Sequence, residues 1–136
     1  MGRQEGKVRF IGIIEKSGRS KNKIRIYPEF CEGLKGIEHC KNVIVLYWFH
    51  LRDDAKNRNT LRVFPKRRPG TKETGVFASR SSSRPNPLGL CTVKLLSVRG
   101  CVLTVSRLDA LPETPIVDIK PYHPEDSAAN EENRRT

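Results

Sequence analysis

Residues 43–49 read Val-Ile-Val-Leu-Tyr-Trp-Phe, an unbroken apolar run in a chain of 136 residues. Most of these side chains are β-branched or aromatic, the types that pack well on a pleated surface. A short continuous apolar run of this composition is typical of a strand inside a sheet. The run therefore predicts a central strand around which the rest of the fold is arranged.

Further runs with the period of strands lie on both sides of it. Residues 8–14 predict a mostly buried first strand, and residues 23–27 alternate polar and apolar side chains, which predicts a half-exposed strand. Helix is limited to one turn within residues 32–38. The other strand-like runs are residues 61–64, 75–78, 88–98, 101–108 and 115–119, with a hairpin at Arg99-Gly100. About seven or eight short strands with so little helix predict an all-β fold, a single sheet that closes or nearly closes into a barrel.

One connection has an unusual composition. Residues 75–90 read Gly-Val-Phe-Ala-Ser-Arg-Ser-Ser-Ser-Arg-Pro-Asn-Pro-Leu-Gly-Leu. Arg84 and Asn86 each precede a proline, which holds the preceding residue extended, so two hydrogen-bonding side chains lie on a stiff backbone. Gly89 allows a turn or a close approach where the next apolar run begins. A stiff polar loop is a common way to present a binding site, although the composition alone favours an ordinary proline-rich connection.

Length and composition fit one globular domain with a modest core, since 36% of the residues are hydrophobic. We expect residues 1–124 to form the domain and residues 125–136, which are small, polar and charged, to form a mobile tail. No apolar run approaches the roughly 20 residues that span a membrane, and no apolar signal segment is visible. These features predict a cytoplasmic protein without a membrane partner.

The net charge of +11 is unevenly distributed. Residues 1–68 hold 17 Lys or Arg against 7 Asp or Glu, whereas residues 69–136 hold 9 against 8. Such asymmetry favours a polyanionic partner over generic solubility or binding to a membrane surface, and nucleic acid is the leading candidate. The cations expected to contact phosphates lie in residues 52–68, namely Arg58, Arg62, Lys66, Arg67 and Arg68.

The four cysteines contain no Cys-x-x-Cys pair. Without a secretory signal we expect no disulfide framework, and we interpret Cys31, Cys40, Cys91 and Cys101 as small buried hydrophobes. Cys31, His39 and Cys40 match no common zinc spacing, so we predict no metal site.

Two motifs stand about thirty residues apart: Arg80 with Arg84-Pro85-Asn86-Pro87 and Gly89-Leu90, then Asp118-Ile119-Lys120-Pro121-Tyr122. Together they resemble the TrmO family of tRNA methyltransferases, also called the TsaA-like or YaeB family, and the likeness extends over residues 8–123. The resemblance implies a single-sheet β-barrel that binds S-adenosylmethionine, acts as a homodimer, and methylates N6-threonylcarbamoyladenosine beside the anticodon of tRNA. The chain has no Gly-x-Gly-x-x-Gly strand-to-helix turn, which excludes a Rossmann cofactor site.

The same resemblance implies two sets of site residues. Those expected to bind the cofactor are His50, Leu51, Arg80, Leu90, Arg107, Leu108 and Asp109. Those expected to contact the substrate or to catalyse are Arg84, Asn86, Asp118, Lys120 and Tyr122. The target ureido nitrogen is a poor nucleophile until its proton leaves, so Asp118 is the hypothesis for a general base or for a group that orients Lys120. Arg84 or Lys120 is the hypothesis for binding the threonyl carboxylate.

Each assignment has a structural alternative. Asp118 and Lys120 fit an exposed strand pair of little energetic weight, Tyr122 a core aromatic, and His50 and Arg107 ordinary surface residues. The chain also departs from the family. It lacks a Pro-Arg-Gln segment after the first strand, it has Leu51 where glutamine is common, and Pro112-Glu113 replaces an Asp-Gly, which we expect to remove a flexible turn.

Three functions are compatible with these patterns. The first is an S-adenosylmethionine-dependent tRNA methyltransferase. The second is a non-catalytic RNA-binding barrel in which aromatic residues stack on bases, the members being Tyr27, Phe30, Tyr47, Trp48 and Phe49. The third is a methyltransferase that acts on a small molecule, which leaves the charge asymmetry unexplained. Cofactor titration separates the first from the second, and activity on an RNA-free substrate favours the third.

Overall fold

The computed structural model describes residues 3–65 and 72–124. Within these ranges the strands are β1 Gly12–Ser17, β2 Lys21–Ile26, β3 Asn42–Trp48, β4 Arg62–Val63, β5 Thr74–Gly75, β6 Leu88–Arg99, β7 Val102–Ser106 and β8 Pro115–Pro121. One α-helix, α1 Ala55–Arg58, and four 3-10 helices, Pro28–Leu34, Ile37–His39, His50–Arg52 and Val76–Ala78, complete the described elements. The expected tail and the cations Lys66, Arg67 and Arg68 lie outside the described residues.

Six of these strands close into an antiparallel barrel in the order β1-β2-β7-β6-β3-β8. The predicted all-β barrel is confirmed, and the two remaining described strands, β4 and β5, pair in a small sheet of their own. The predicted central strand, β3, pairs with β6 from Asn42 to Trp48 and with β8 on its other side. Closure pairs every barrel strand on both sides, least extensively between β1 and β8, and so leaves little free edge as a template for aggregation.

The core follows from strand alternation. Along β2 the residues are exposed and buried in strict alternation, so Ile24 and Ile26 point inward and the intervening cations point outward. Val43 and Val45 on β3 and Leu103 on β7 are fully buried in the same cluster. Burying an aliphatic side chain of this size stabilises the fold by about 1.5–3 kcal/mol, so this cluster supplies much of the free energy that keeps the barrel closed.

The first strand begins later than the sequence predicts. Val8 and Phe10 are exposed to 47% and 39%, and β1 starts only at Gly12. β8 pairs with β1 only through Pro115 and Ile116, and with β3 on its other edge from Ile116 to Pro121. Ile11 is still anchored, since its N–H donates to the Ile116 carbonyl at 2.8 Å and its side chain packs against the core. Val8 and Phe10 lie before the strand pairing, so the prediction of a buried strand over residues 8–14 was wrong at its start.

The predicted strand over residues 75–78 is also largely wrong. Gly75 ends a two-residue strand, and Val76–Ala78 is a turn of 3-10 helix that Ser79 N–H closes on the Val76 carbonyl at 3.3 Å. Val76 is buried, whereas Phe77 is 79% exposed. Apolar residues in a short run fit either structure, and here the partner strand β4 is too short to extend the pairing.

Two cysteines form a disulfide that was not predicted. Cys31, in the 3-10 helix Pro28–Leu34, is bonded to Cys101 with their Cα atoms 5.5 Å apart across a separation of 70 residues. Cys101 directly follows Gly100, whose positive φ of 59° turns the predicted hairpin between β6 and β7. The expectation that no cysteines pair was wrong because the pairing depends on how the helix docks on the hairpin, which spacing does not reveal. Cys40 and Cys91 are free and half-buried against the core.

None of the helices within the described residues is long and apolar enough to cross a membrane.

Candidate functional site

A cavity of about 310 Å³ opens where β3 ends. Its walls come from the end of β3 with the following 3-10 helix, from Ser82, and from the loop that precedes β8. The lining residues are Tyr47, Trp48, Phe49, His50, Leu51, Arg52, Ser82, Asp109, Ala110, Leu111 and Thr114. Three of the residues predicted to bind a cofactor, His50, Leu51 and Asp109, are therefore brought together here.

Gly89 shapes the floor of this cavity. A Cβ atom at this position would overlap the Tyr47 ring and lie 2.9 Å from Cζ of Phe49. Because glycine leaves that space open, the two rings pack edge to face with centroids 5.4 Å apart. The Tyr47 hydroxyl donates a long hydrogen bond of 3.4 Å to the Asp109 carbonyl, which connects the floor to the loop wall. The close approach expected at Gly89 is confirmed.

The loop before β8 keeps a tight turn despite the loss of Asp-Gly. Glu113 has a positive φ of 70°, a left-handed conformation that L side chains rarely adopt and glycine adopts freely. Its N–H donates to the Ile14 carbonyl at 2.7 Å, which anchors the turn on β1. The expectation that Pro112-Glu113 removes the turn was wrong, because this hydrogen bond holds Glu113 in the left-handed conformation that a glycine would adopt.

Helix α1 holds the polar loop in place. Asp54 caps the helix by accepting the Asn57 N–H at 2.8 Å, and this backbone bond, with the Asn57 side-chain bond, lowers the pKa of the Asp54 carboxyl. Asn57 Oδ1 then accepts from Ser83 Oγ at 2.6 Å. From the last helical residue, Arg58 donates through Nε to the Pro85 carbonyl at 2.8 Å. The cap thus orders two side chains that bind the loop.

Arg58 is the main link between the helix, the loop and the cavity wall. Its Nη1 contacts Asp53 Oδ1 at 3.0 Å and its Nη2 donates to Asn86 Oδ1 at 3.3 Å. The guanidinium also lies 5.9 Å from the centroid of the Trp48 ring, whose Nε1 donates to the same Asp53 carboxylate at 3.2 Å. A planar group with five donors can make these contacts at once, which an ammonium cannot.

Hydrogen bonds within the polar loop also stabilise it. Arg84 Nη1 donates to the carbonyls of Ser79 at 3.2 Å and Ser81 at 3.1 Å. The hydroxyls of Ser79 and Ser81 each accept from the N–H two residues on. The stiff loop predicted from the prolines is thus reinforced from within, and at least one nitrogen of Arg84 serves the loop rather than a ligand.

Asp118 and Lys120 lie on the outer wall of the barrel. Lys120 Nζ is 3.2 Å from Asp118 Oδ2, with side chains 62% and 47% exposed, and Asp118 Oδ1 accepts from the Ile119 N–H at 2.9 Å. Asp118 and Leu90 both pair with Leu46, on its two sides. The two residues are therefore separated by two strand spacings, about 10 Å. Asp118, Lys120 and Leu90 share an outward face of the barrel, and none of them lines the cavity.

The remaining predicted residues are scattered. Arg80 and Arg107 are exposed and do not line the cavity, and Leu108 is buried in the core with its N–H donating to Asn22 Oδ1 at 2.8 Å. Tyr122 is half-buried just after β8, with its N–H donating to the Asn42 carbonyl. Tyr47 and Trp48 are buried, which argues against base stacking by these two rings. Among the residues that the structure describes, no group of three potential metal ligands occurs.

No site role was expected for Asp53 or Asn57, Tyr47 was considered only as a base-stacking residue, and Arg58 only as a phosphate contact. The one local signal was Asp53-Asp54 before a short polar helix, a pattern typical of an N-cap. Nothing in the sequence pairs that helix with a loop about 27 residues further along the chain.

Comparison with known proteins gives concordant matches. The model of the family described as tRNA-methyltransferase O N-terminal domain matches residues 14–127. An S-adenosyl-L-methionine-binding protein of Archaeoglobus fulgidus is 47% identical over 111 residues, which are 81% of this chain and 75% of the relative. A probable S-adenosyl-L-methionine-binding protein of the same organism is 54% identical over 99 residues, 73% of this chain but 25% of that protein. A crystal structure of TrmO from Pseudomonas aeruginosa matches with a TM-score of 0.70 at 28% identity, covering 92% of this chain and 59% of that one.

Proposed function

The chain belongs to the family of tRNA-methyltransferase O N-terminal domains, and from this premise we propose that it is an S-adenosylmethionine-dependent methyltransferase that modifies N6-threonylcarbamoyladenosine in tRNA. The observation that carries the proposal is the cavity at the end of β3, which the loop with the family motif borders through Ser82. Because the chain spans a quarter of one relative and three quarters of another, the activity is a proposal for this chain and not a property taken from them.

The size and lining of the cavity support the proposal that it binds the cofactor. Its volume of about 310 Å³ lies at the lower end of the range for small-molecule sites. Leu51, Leu111 and Phe49 offer an apolar slot for the adenine ring, and the Asp109 carboxylate is suited to accept hydrogen bonds from ribose hydroxyls. When bound, the cofactor supplies an activated methyl group, so the protein's task is to position the nucleophile and exclude water.

Asp118 and Lys120 are proposed to act on the substrate. In their ion pair each side chain limits the rotation of the other, which suits a carboxylate that takes or orients the ureido proton. Lys120 keeps other N–H donors for the threonyl carboxylate, and Arg84 offers a second cation at the loop. Arg107 and Arg80, both exposed, remain proposals for cofactor contact.

We propose that the active unit is a homodimer. Asp118, Lys120 and Leu90 lie on the outer wall, away from the cavity in the same chain. A second copy that sets its outer wall over the cavity mouth would complete the site. Leu90, 46% exposed, and Leu88, 36% exposed, give that wall an apolar surface suited to such a contact.

The primary experiment is mass spectrometry of tRNA after incubation with the protein and S-adenosylmethionine. We expect one added methyl group on threonylcarbamoyladenosine and none on the same tRNA prepared without the threonylcarbamoyl group. Absence of product, with cofactor binding intact by calorimetry, would contradict the tRNA substrate, whereas absence of cofactor binding would contradict the methyltransferase.

The homodimer is tested by complementation. Asp118→Asn and Asp109→Ala, each inactive alone, are mixed under conditions that exchange subunits. A two-fold dimer has two such shared sites, and random exchange makes half of the dimers mixed with one intact site each, so the mixture should recover about a quarter of the wild-type activity. No recovery, together with a monomeric mass in solution, would contradict the shared site.

A further inference from the structure

A row of three cations covers the outside of β2. Lys21, Lys23 and Arg25 are exposed and alternate with buried residues, so all three point away from the core. Residues two apart on a strand are separated by about 7 Å. The row thus repeats a positive charge at a spacing similar to that of neighbouring phosphates along an extended nucleic-acid strand.

A second row runs along β6, two strands away. Arg25 and Arg99 both pair with Val102 of β7, and Lys21 pairs with Ser106, whose Oγ accepts the Lys94 N–H at 2.9 Å. Two strand spacings amount to about 10 Å. Lys94 and Arg99 are exposed, so they form the opposite border of the same surface.

The strip between these borders lies on β7 and consists of the hydroxyl side chains of Thr104 and Ser106, with the apolar Val102 at the end beside Arg25 and Arg99. Thr104 pairs with Lys23 on one side and with Ser97 on the other, and Ser106 continues the strip. We define the basic outer face as Lys21, Lys23, Arg25, Lys94 and Arg99 with this strip. In the described part of the chain none of the five cations makes an ion pair, although Glu15 lies at the neighbouring bulge of β1.

We infer that the basic outer face binds the phosphate backbone of an RNA strand at a place separate from the methyl-transfer site. Cations at phosphate spacing that make no ion pair supply affinity through counterion release without reading sequence; the Arg25 guanidinium also lies 5.7 Å from the centroid of the Tyr27 ring. The hydroxyl strip offers hydrogen-bond partners to phosphate oxygens and 2′-hydroxyls. The inference takes from the proposed function only that the partner is an RNA.

Position in the barrel separates the two surfaces. The centre of the basic outer face is β7, and in either direction two strands lie between it and β8, which carries Asp118 and Lys120. The β2 row therefore lies across the barrel from Asp118 and Lys120, whereas the border at Lys94 shares β6 with Leu90. The β2 row would hold a remote part of the same RNA, and its loss should raise KM rather than lower kcat.

Charge favours RNA over the other occupants of such a surface. A second copy of this chain would bring like charges together, which costs free energy. An anionic membrane surface would match the charge but would not use the hydroxyl strip between the two rows.

The test compares two variants with the same loss of charge. The first is Lys21→Gln with Lys23→Gln and Arg25→Gln; the control is Lys7→Gln with Arg9→Gln and Lys35→Gln, three exposed cations outside the face. The probe is a labelled uridine oligoribonucleotide about 20 nucleotides long, which exceeds the 4–16 nucleotides that a small barrel commonly covers. Its affinity is measured over a range of salt concentrations.

We expect the first variant to reduce the salt-dependence slope by about two, since each single-strand phosphate contact contributes about 0.7, and the control to leave the slope near wild type. Equal slopes for both variants would overturn the inference, as would an equal loss for anionic phospholipid vesicles in place of RNA. Calorimetry with S-adenosylmethionine distinguishes a failure of this inference from a failure of the proposed function. Both variants should bind the cofactor as the wild type does, whether or not their RNA affinity changes.

Discussion

At the scale of single residues, Gly89 is the position where backbone space determines the shape of the site. Gly89→Ala places a methyl group against the rings of Tyr47 and Phe49, and overpacking of this kind costs about 1–3 kcal/mol. Displacing Tyr47 also disturbs its bond to Asp109, so cofactor affinity should fall together with stability. Melting curves and calorimetry measure the two effects.

Gly33→Ala is the matched control for this prediction. A Cβ at Gly33 meets nothing within 4 Å, and its φ is not positive. This variant should keep both cofactor affinity and melting temperature near wild type. Equal behaviour of the two variants would contradict the role of Gly89 as a space-making residue.

Glu113 gives a second prediction, in which a substitution by glycine is not expected to reduce stability. A left-handed conformation costs a residue with a side chain about 1 kcal/mol relative to glycine, which offsets the extra chain entropy that glycine loses on folding. Glu113→Gly should therefore be neutral or slightly stabilising in urea unfolding. Glu29→Gly, in a 3-10 helix of ordinary geometry, should be destabilising by about 0.5–1 kcal/mol. A larger loss of unfolding free energy for Glu113→Gly than for Glu29→Gly would contradict backbone strain at Glu113.

At the scale of elements, α1 controls the loop through Arg58. Arg58→Lys keeps the charge but cannot bind Asp53, the Pro85 carbonyl and Asn86 together. We expect methyl transfer to fall at least tenfold, while the melting temperature changes little because the side chain is 39% exposed.

Lys56→Ala is the control in the same helix, since Lys56 is exposed and its side chain makes no contact with the loop among the described residues. If Lys56→Ala and Arg58→Lys reduced activity equally, the helix as a whole rather than the guanidinium would be responsible. If neither reduced it, the loop would hold its shape without α1.

The elements that the sequence predicted well are those indicated by a pattern of neighbouring residues. β3, β6, β7 and their hairpin follow from apolar runs and from a glycine between them, and the two-fold alternation on β2 appears directly in the structure. The start of β1 and the strand at residues 75–78 were predicted less well, because the length of a strand depends on how far its partner extends.

The site was predicted only in part for a related reason. Motifs identified residues, but the structure assigns them to a cavity, a loop and an outer wall. The partners that hold them, such as Arg58 and Asn57, come from a segment without a motif of its own. Contacts between distant segments leave no periodic signal in a single sequence.

At the scale of the whole molecule, the disulfide between Cys31 and Cys101 ties the 3-10 helix Pro28–Leu34 to the β6–β7 hairpin. A bond that closes 70 residues restricts the unfolded chain and is expected to stabilise the fold by about 2–4 kcal/mol. Cys31→Ser, Cys101→Ser and the double variant should therefore lose similar amounts of stability, because each removes the same bond.

A thiol reductant should lower the melting temperature of the wild type to that of the double variant and leave the double variant unchanged. Cys40→Ser, at a free thiol, should keep the response to the reductant. If the two single losses add in the double variant and the reductant has no effect on the wild type, the two cysteines act separately and the helix is held by packing alone.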